Sequence, residues 1–554
     1  MDKENSLRQM LVISIVFAFF AATYIYTVYA SYTSAPYFDN WRLFAEDRFF
    51  YTKILSHNEH IINFIAAFFW MDNNFLSGRG TLQLTAIACM LAALSVFFAI
   101  EIRKNLPQNI LLCSAVAMSC LSATQFTNIT WSFQVGFVGC FAFGFLSIYC
   151  LSRASASHNQ VLWLLLSGLS AIASSLTLAA GVLLIGFVGI YCLFLRIRPI
   201  WKLAFLLSTI SIFFILLVVN HPDRHETSIK SIRYAILFTL AVLGSFPGTA
   251  IDYRFLGIGL PERVYDFAAI LFGAIFVLSA LGLILRAYQS WRSDLVPLAR
   301  LWGIPFGLWL ALSASAIGWG RSELPIAEAI SARYVTISVL FMCALFATAA
   351  QLRVRQATTR PVQILCVLLI AAASIAQVNR MAQAEIAGRR FENAETALLN
   401  NAYSAPDILN LYPLSMDQSA KIIASIMQLR GLSLFGEARY RLISKNLFSG
   451  ALTYKGTCAS QISNIDRGPA WLLVEGSVND EATGLKTDIV AAADLESNIK
   501  AVGTVRKQMI GLRQEGTQSG FVLIAPTSNM PASSDLSFFA LDMSALAFCY
   551  MGKS

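Results

Sequence analysis

Charge is what this chain most lacks. Asp, Glu, Lys and Arg together make up 13% of its 554 residues, about half the share carried by soluble domains. With 56% hydrophobic residues and a mean hydropathy of +0.61, the composition excludes a water-soluble globule. Histidine is scarce as well, five in all. The two closest stand in SHNEH, a spacing that matches no standard zinc motif. No internal repeat or low-complexity tract is present.

In place of charge the chain has long apolar runs. In lipid only helices and closed barrels satisfy every backbone group, and roughly 20 apolar residues cross a hydrocarbon core of about 30 Å. The uncharged runs predict about eleven spans of roughly 17 to 21 residues, near 11–30, 80–100, 109–126, 132–151, 161–178, 181–195, 203–220, 267–285, 301–319, 334–352 and 362–378. The first run outlasts the apolar core of about 7 to 15 residues in a cleaved signal, so it is expected to remain as an anchor. The stretch 235–251 is broken by Gly-Ser-Phe-Pro-Gly at 244–248. It is expected to be re-entrant or interfacial and to line a cavity, the alternative being a kinked full span.

Basic residues orient the spans. Lys3 and Arg8, Arg103 and Lys104, Arg153, Arg196 with Arg198 and Lys202, Arg286 with Arg292 and Arg300, and Arg353 with Arg355 and Arg360 fall on one side. The positive-inside rule makes that side the cytoplasm. The net charge of +9 comes from this membrane part, because Lys/Arg and Asp/Glu nearly balance from Arg380 onward. A nucleic-acid partner is therefore not expected.

The expected organisation is a transmembrane domain over 1–380 with a first outer loop at 31–79, a helical region over 381–450, and a β-sandwich over 451–554. Short strands separated by Gly, Asn, Asp and Ser turns suggest the sandwich. The whole is expected to be an α-helical polytopic membrane protein with a C-terminal α+β region. Of ten cysteines, eight lie in the runs and two in the tail. Cys458 and Cys549 are candidates for a disulfide on neighbouring strands in an oxidising compartment.

Three outer loops carry the chemistry. The first holds Asp39 between Phe38 and Trp41, where burial could raise the carboxylate pKa toward that of a general base for a sugar hydroxyl. Glu46 and Asp47 support it, or pair with Arg48 or Lys53. His57, Glu59 and His60 follow, suited to a phosphate leaving group in preference to a divalent metal; Glu59 could instead orient one His. A short apolar stretch at 61–70 is expected to lie in the interface. The second loop reads TNITWSFQ, where Trp131 and Gln134 could stack on and hydrogen-bond a sugar. The third holds Arg321 and Arg333, whose planar forks match phosphate oxygens, with Glu323 and Glu328 near enough in sequence to form a salt-bridge network.

These residues give the chain a likeness. FDNW at 38–41, SHNEH at 56–60, WSFQ at 131–134, GR at 320–321 and ARY at 332–334 resemble the signatures of bacterial GT-C-type glycosyltransferases that use a polyprenyl-phosphate sugar, some close to lipopolysaccharide-modifying enzymes. The resemblance covers most of 1–380. It implies Asp39 as catalytic base, and Asn40 stands where the family often has a second acid, which weakens a paired-acid metal site. It implies a polyprenyl-phosphate sugar donor held between the spans through its phosphate by His57, His60, Arg321 and Arg333. The sugar side falls to Trp41, Trp131, Gln134 and Tyr334. It further implies a glycan or lipid-linked acceptor; no cofactor is expected, with a divalent metal as the less favoured alternative. The site would face the periplasm of a bacterial inner membrane, with the N-terminus cytoplasmic and the tail outside. Transfer would be inverting. A transporter or flippase would show mid-span ionisable groups and two broken helices. An O-antigen ligase or polymerase would differ by a lipid-linked acceptor.

Overall fold

The computed structural model describes residues 3–46, 51–52, 54–57, 60–106, 110–219, 231–250, 261–293, 297–352, 360–413, 417–437, 439–443, 445–447, 452–479, 487–505, 518–530 and 536–553. Its helices are α1 (Lys3–Ala30), α2 (Asn40–Glu46), α3 (Asn63–Phe75), α4 (Thr81–Asn105), α5 (Ile110–Cys120), α6 (Phe126–Thr130), α7 (Val135–Ala154), α8 (Gln160–Ser175), α9 (Ala179–Leu193), α10 (Pro199–Val219), α11 (Ile232–Leu243), α12 (Ser245–Ala250), α13 (Glu262–Arg292), α14 (Gly303–Gly320), α15 (Val335–Gln351), α16 (Arg360–Leu399) and α17 (Asp417–Arg430). Strands β1 (Ser56–His57) and β2 (His60–Ile61) form a small hairpin. The tail carries β3 (Thr453–Thr457), β4 (Ala459–Arg467), β5 (Trp471–Asn479), β6 (Ile489–Ala493), β7 (Ile499–Val505), β8 (Gln518–Pro526), β9 (Ser537–Asp542) and β10 (Ala547–Lys553). The chain forms two compact units. One comprises Met1–Val28, Arg48–Phe68 and Gln83–Gln383, the other Tyr29–Asp47, Phe69–Leu82 and Ala384–Ser554. The expected first outer loop, 31–79, is thus divided between them.

The first unit is helical. Among the described residues five helices are long and apolar enough to cross a membrane: Thr81–Asn105, Ser132–Ala154, Pro199–Val218, Arg263–Arg292 and Gly303–Gly320. The most apolar stretches of Pro199–Val218 and Arg263–Arg292 are only 17% and 11% buried, so their greasy surfaces face outward as lipid-facing helices do. Several of the other expected spans are shorter apolar helices: Ser14–Ala30, Gln160–Ser175, Ala179–Leu193 and Val335–Gln351. The run at 109–126 is not one span, because α5 stops at Cys120. There Gln377 Oε1 accepts the Ala123 N–H at 2.7 Å, and Ser122 caps the short turn that follows.

Glycines set how closely the helices approach. α11 ends at Gly244, the predicted break, and α12 starts one residue later. A Cβ on Gly244 would strike the Ala269 carbonyl, one on Gly273 would strike the Leu240 carbonyl, and one on Gly318 would strike Thr239. α13 and α14 therefore press directly on the α11 backbone, which only a residue without Cβ permits.

In the second unit eight strands form one sheet in the order β3-β10-β9-β6-β7-β8-β5-β4. The two-sheet sandwich expected from strand spacing is thereby corrected to a single curled sheet. β10 pairs parallel with β3, and all its other neighbours are antiparallel. Curling brings β4 back toward β10, where Ser460 Oγ donates to the Met551 carbonyl at 3.0 Å. The inner face is packed with Val474, Val490, Phe521, Leu523 and Phe538. The Cys458–Cys549 disulfide, with a Cα separation of 5.4 Å, lies at the same closure. Where β7 and β8 diverge, the buried Asn400 amide donates to the Val502 and Ile524 carbonyls, both at 2.7 Å, and accepts the Val502 N–H at 3.0 Å. One side chain thus replaces missing ladder bonds. α16 is a single 40-residue helix that passes position 380 without a break.

Candidate functional site

In the first unit the residues of three predicted loops come together. The hairpin sets His57 opposite His60, so both imidazoles share one face. The ring of His57 meets Phe133 edge-on at 5.9 Å, and Phe133 stacks on Trp131 at 5.6 Å. His60 Nδ1 accepts the Ala179 N–H at the start of α9, at 3.2 Å, which leaves its ring proton on Nε2. That amide is in reach because Gly181 lets α9 fold tightly against the end of α8: a Cβ there would collide with Ser174.

The loop 126–134 is fastened to the start of α15. Asn128 Nδ2 donates to the Arg333 carbonyl and to Thr336 Oγ1, each at 2.7 Å, and Thr336 Oγ1 donates to Gln125 Oε1 at 2.5 Å. Gln125 in turn donates to the Cys120 carbonyl at 2.9 Å. Burying such a chain of polar groups is tolerable because nearly all of them find partners; in this chain Asn128 Oδ1 has none among the described residues. Asn128, Thr336 and Gln377, which also donates to Thr23 Oγ1 at 2.7 Å, were not among the candidates. Thr336 and Gln377 had as their signal a hydroxyl or amide inside an otherwise apolar run, and Asn128 had its place in the TNITWSFQ loop.

Arg333 sits on this network. Its guanidinium lies 5.2 Å above the Tyr334 ring, within cation–π range. One terminal nitrogen is 3.9 Å from Glu328. The Nε–H is buried and finds no acceptor among the described residues. Arg321 caps the end of α14, and among the described residues no ion pair engages its guanidinium.

Three of the four expected sugar contacts are buried, and the fourth is half-buried. Trp41 has no exposed surface: its ring packs on Tyr412 at 5.2 Å and its Nε1–H donates to the Leu411 carbonyl at 3.3 Å. Tyr334 is buried between Phe137 and Phe238 and supports Arg333 from below. Gln134 is buried at the start of α7. Trp131 is half-buried and keeps part of its ring open.

Asp39 belongs to the second unit. It stands half-buried on a tight turn whose preceding residue, Phe38, has a φ of 46°, a left-handed conformation costly for a bulky residue. The turn is held because the Phe38 N–H donates to the Leu411 carbonyl at 2.8 Å and Tyr37 meets Phe391 at 5.2 Å. Upstream, Thr33 Oγ1 and the Ser34 N–H donate to Glu395 at 2.7 and 2.8 Å. Glu395 pairs with Arg439 at 2.9 Å. Glu59 and Asp47 lie outside the described residues, as does the side chain of Glu46. Among the described residues no three His, Cys, Asp or Glu side chains gather closely enough to hold a metal ion.

No family model and no curated protein matches the chain. Among solved structures it is similar to the archaeal oligosaccharyltransferase AglB from Archaeoglobus fulgidus in complex with an inhibitory peptide and a dolichol-phosphate. The identity is 13% and the TM-score 0.36, over 74% of this chain and 60% of that one. The chain thus spans less than two thirds of that neighbour's length, and a likeness of this size fixes neither family nor activity.

Proposed function

We propose that the chain is a membrane glycosyltransferase that moves a sugar from a polyprenyl-phosphate donor to a glycan or lipid-linked acceptor on the periplasmic face of a bacterial inner membrane. The observation that carries this reading is Arg333. Its main chain is fixed by Asn128, its guanidinium rests on Tyr334, and its buried Nε–H has no acceptor in the protein among the described residues. A buried donor without a partner is a loss of about 1–3 kcal/mol, and a phosphate oxygen would repair it with a charge-assisted bond. His57 and the open part of Trp131, linked through Phe133, offer an imidazole and an aromatic face in the same unit.

In the proposed step the acceptor hydroxyl oxygen attacks the anomeric carbon. The bond from that carbon to the phosphate oxygen breaks, and its electron pair stays on the phosphate. Asp39 is the proposed base that takes the hydroxyl proton. Its support is its place in the sequence and the strained turn before it, since strain of this kind collects at functional positions. Arg321, Arg333, His57 and His60 are proposed to balance the charge of the departing phosphate. A single displacement inverts the anomeric centre.

The test is transfer of a radiolabelled sugar from a polyprenyl-phosphate donor by membranes carrying the full chain. Arg333→Gln is expected to lower the rate by about 10²- to 10³-fold, the range for a single charge-stabilising donor. Undiminished transfer by that variant would sink the proposal. Asp39→Asn at near-normal rates would remove Asp39 as the base while leaving the phosphate site standing.

A further inference from the structure

α13, α14 and α15 leave a groove between them with a void of about 120 Å³. It is lined by Leu281, Ile284, Gly303, Gly307, Leu308 and Leu345, and its one polar contributor is Thr348. The Thr348 hydroxyl already donates to the Ala344 carbonyl at 2.8 Å. Water needs about two to four polar partners to occupy such a space, so the groove suits hydrocarbon. Leu281 and Leu308 are exposed, so it opens on the outer surface of the helices.

One end of the groove is basic. Arg292, which ends α13, stands three turns beyond the lining residue Leu281 on the same face, and Arg300 precedes the lining residue Gly303 by three positions. Among the described residues neither has an ion-pair partner. Exposed Tyr288 and Trp291, 6.2 Å apart, lie one and two turns beyond Ile284, as interfacial aromatics do. Gly303, at the groove, and Gly320, beside Arg321, are the two ends of α14, about 26 Å apart at the rise of an α-helix. The groove is therefore separate from the Arg321 end.

We propose that this groove seats an acyl chain of an anionic phospholipid whose headgroup phosphate is held by Arg292 and Arg300. Apolar lining sets the chain, and the guanidinium forks at the mouth select the charge.

The full-length protein in neutral detergent can be titrated with phosphatidylglycerol and with phosphatidylcholine of identical chains, and bound lipid counted by native mass spectrometry. Phosphatidylglycerol should bind in preference, and Arg292→Gln or Arg300→Gln should each weaken it about fivefold while leaving phosphatidylcholine unchanged. A phosphatidylglycerol with a photoreactive acyl chain should label 277–284 and 303–311. Equal binding of the two lipids, indifference to both arginine changes, or labelling spread over other helices would each overturn the proposal. So would displacement by polyprenyl phosphate at concentrations where phosphatidylglycerol fails to compete.

Discussion

Asn128 holds Arg333 by its main chain, through a 2.7 Å hydrogen bond from the side-chain amide to the carbonyl oxygen. The bond joins a loop after α5 to the turn before α15, two segments 205 residues apart in sequence. The guanidinium is thereby set from behind, by a residue that need not touch a substrate.

Asn128→Ala is accordingly expected to behave as a loss of position. Removing two buried donor bonds costs about 1–3 kcal/mol of stability, read as a lower Tm of the purified protein. The functional signature is different: a displaced arginine should raise KM for the donor and lower the transfer rate by up to about 10²-fold. Arg333→Lys, which keeps charge but loses the fork, should share the raised KM with an unchanged Tm. An Asn128→Ala protein with altered Tm and unaltered KM would show that the bond serves folding alone.

Two tryptophans given the same part by sequence should now separate. Trp41 is fully buried against Tyr412, and Trp41→Ala is expected to cost about 3–5 kcal/mol, as large aromatic deletions in cores do. Trp131→Ala removes a half-buried ring stacked on Phe133 and should leave Tm within a few degrees while weakening sugar transfer. Thermal melting beside a transfer assay checks both. Equal destabilisation by the two changes would return Trp131 to the core.

What could be read in the sequence follows from what hydropathy records. Uncharged runs located α4, α7, α10, α13 and α14, because crossing lipid demands length and composition that are visible locally. The tail strands β5 to β10 were legible from their turns, and Cys458 with Cys549 from the scarcity of tail cysteines. Hidden were features made by distant partners. The stop of α5 depends on Gln377 reaching Ala123. Trp41 was expected on the sugar side because its packing partner Tyr412 is 371 positions away in the chain. β3 and β4 are nearly all polar, TYKGT and ASQISNIDR, and their exposed faces left no alternation to see. α16 continues through the shift from apolar to polar because such a shift does not break a helix.

The ion pair of Glu395 with Arg439 makes stability depend on pH in one direction. Burial opposes ionisation of Glu395, but the Arg439 guanidinium and the hydrogen bonds from Thr33 and Ser34 outweigh it and hold the carboxyl below its ordinary 4.5. The same pairing, with Glu437 adding to it, raises Arg439 further. A carboxyl with a lowered folded pKa stabilises the fold fully above its unfolded value and loses that contribution as pH falls through the lower folded value. Between pH 8 and pH 5 the pair should therefore leave Tm unchanged, and below about 4.5 Tm should fall. Glu395→Gln should remove this acid-side component and, by stranding the buried Arg439 with Glu437 alone, cost about 3–5 kcal/mol at neutral pH. Arg439→Met is the complementary change: with its cation gone, burial becomes the dominant influence on Glu395 and raises its carboxyl, so that this contribution is lost as pH rises instead of as pH falls. Melting curves of the full chain from pH 3.5 to 8 measure all three, and parallel acid profiles for wild type and Glu395→Gln would show that other carboxylates govern the transition.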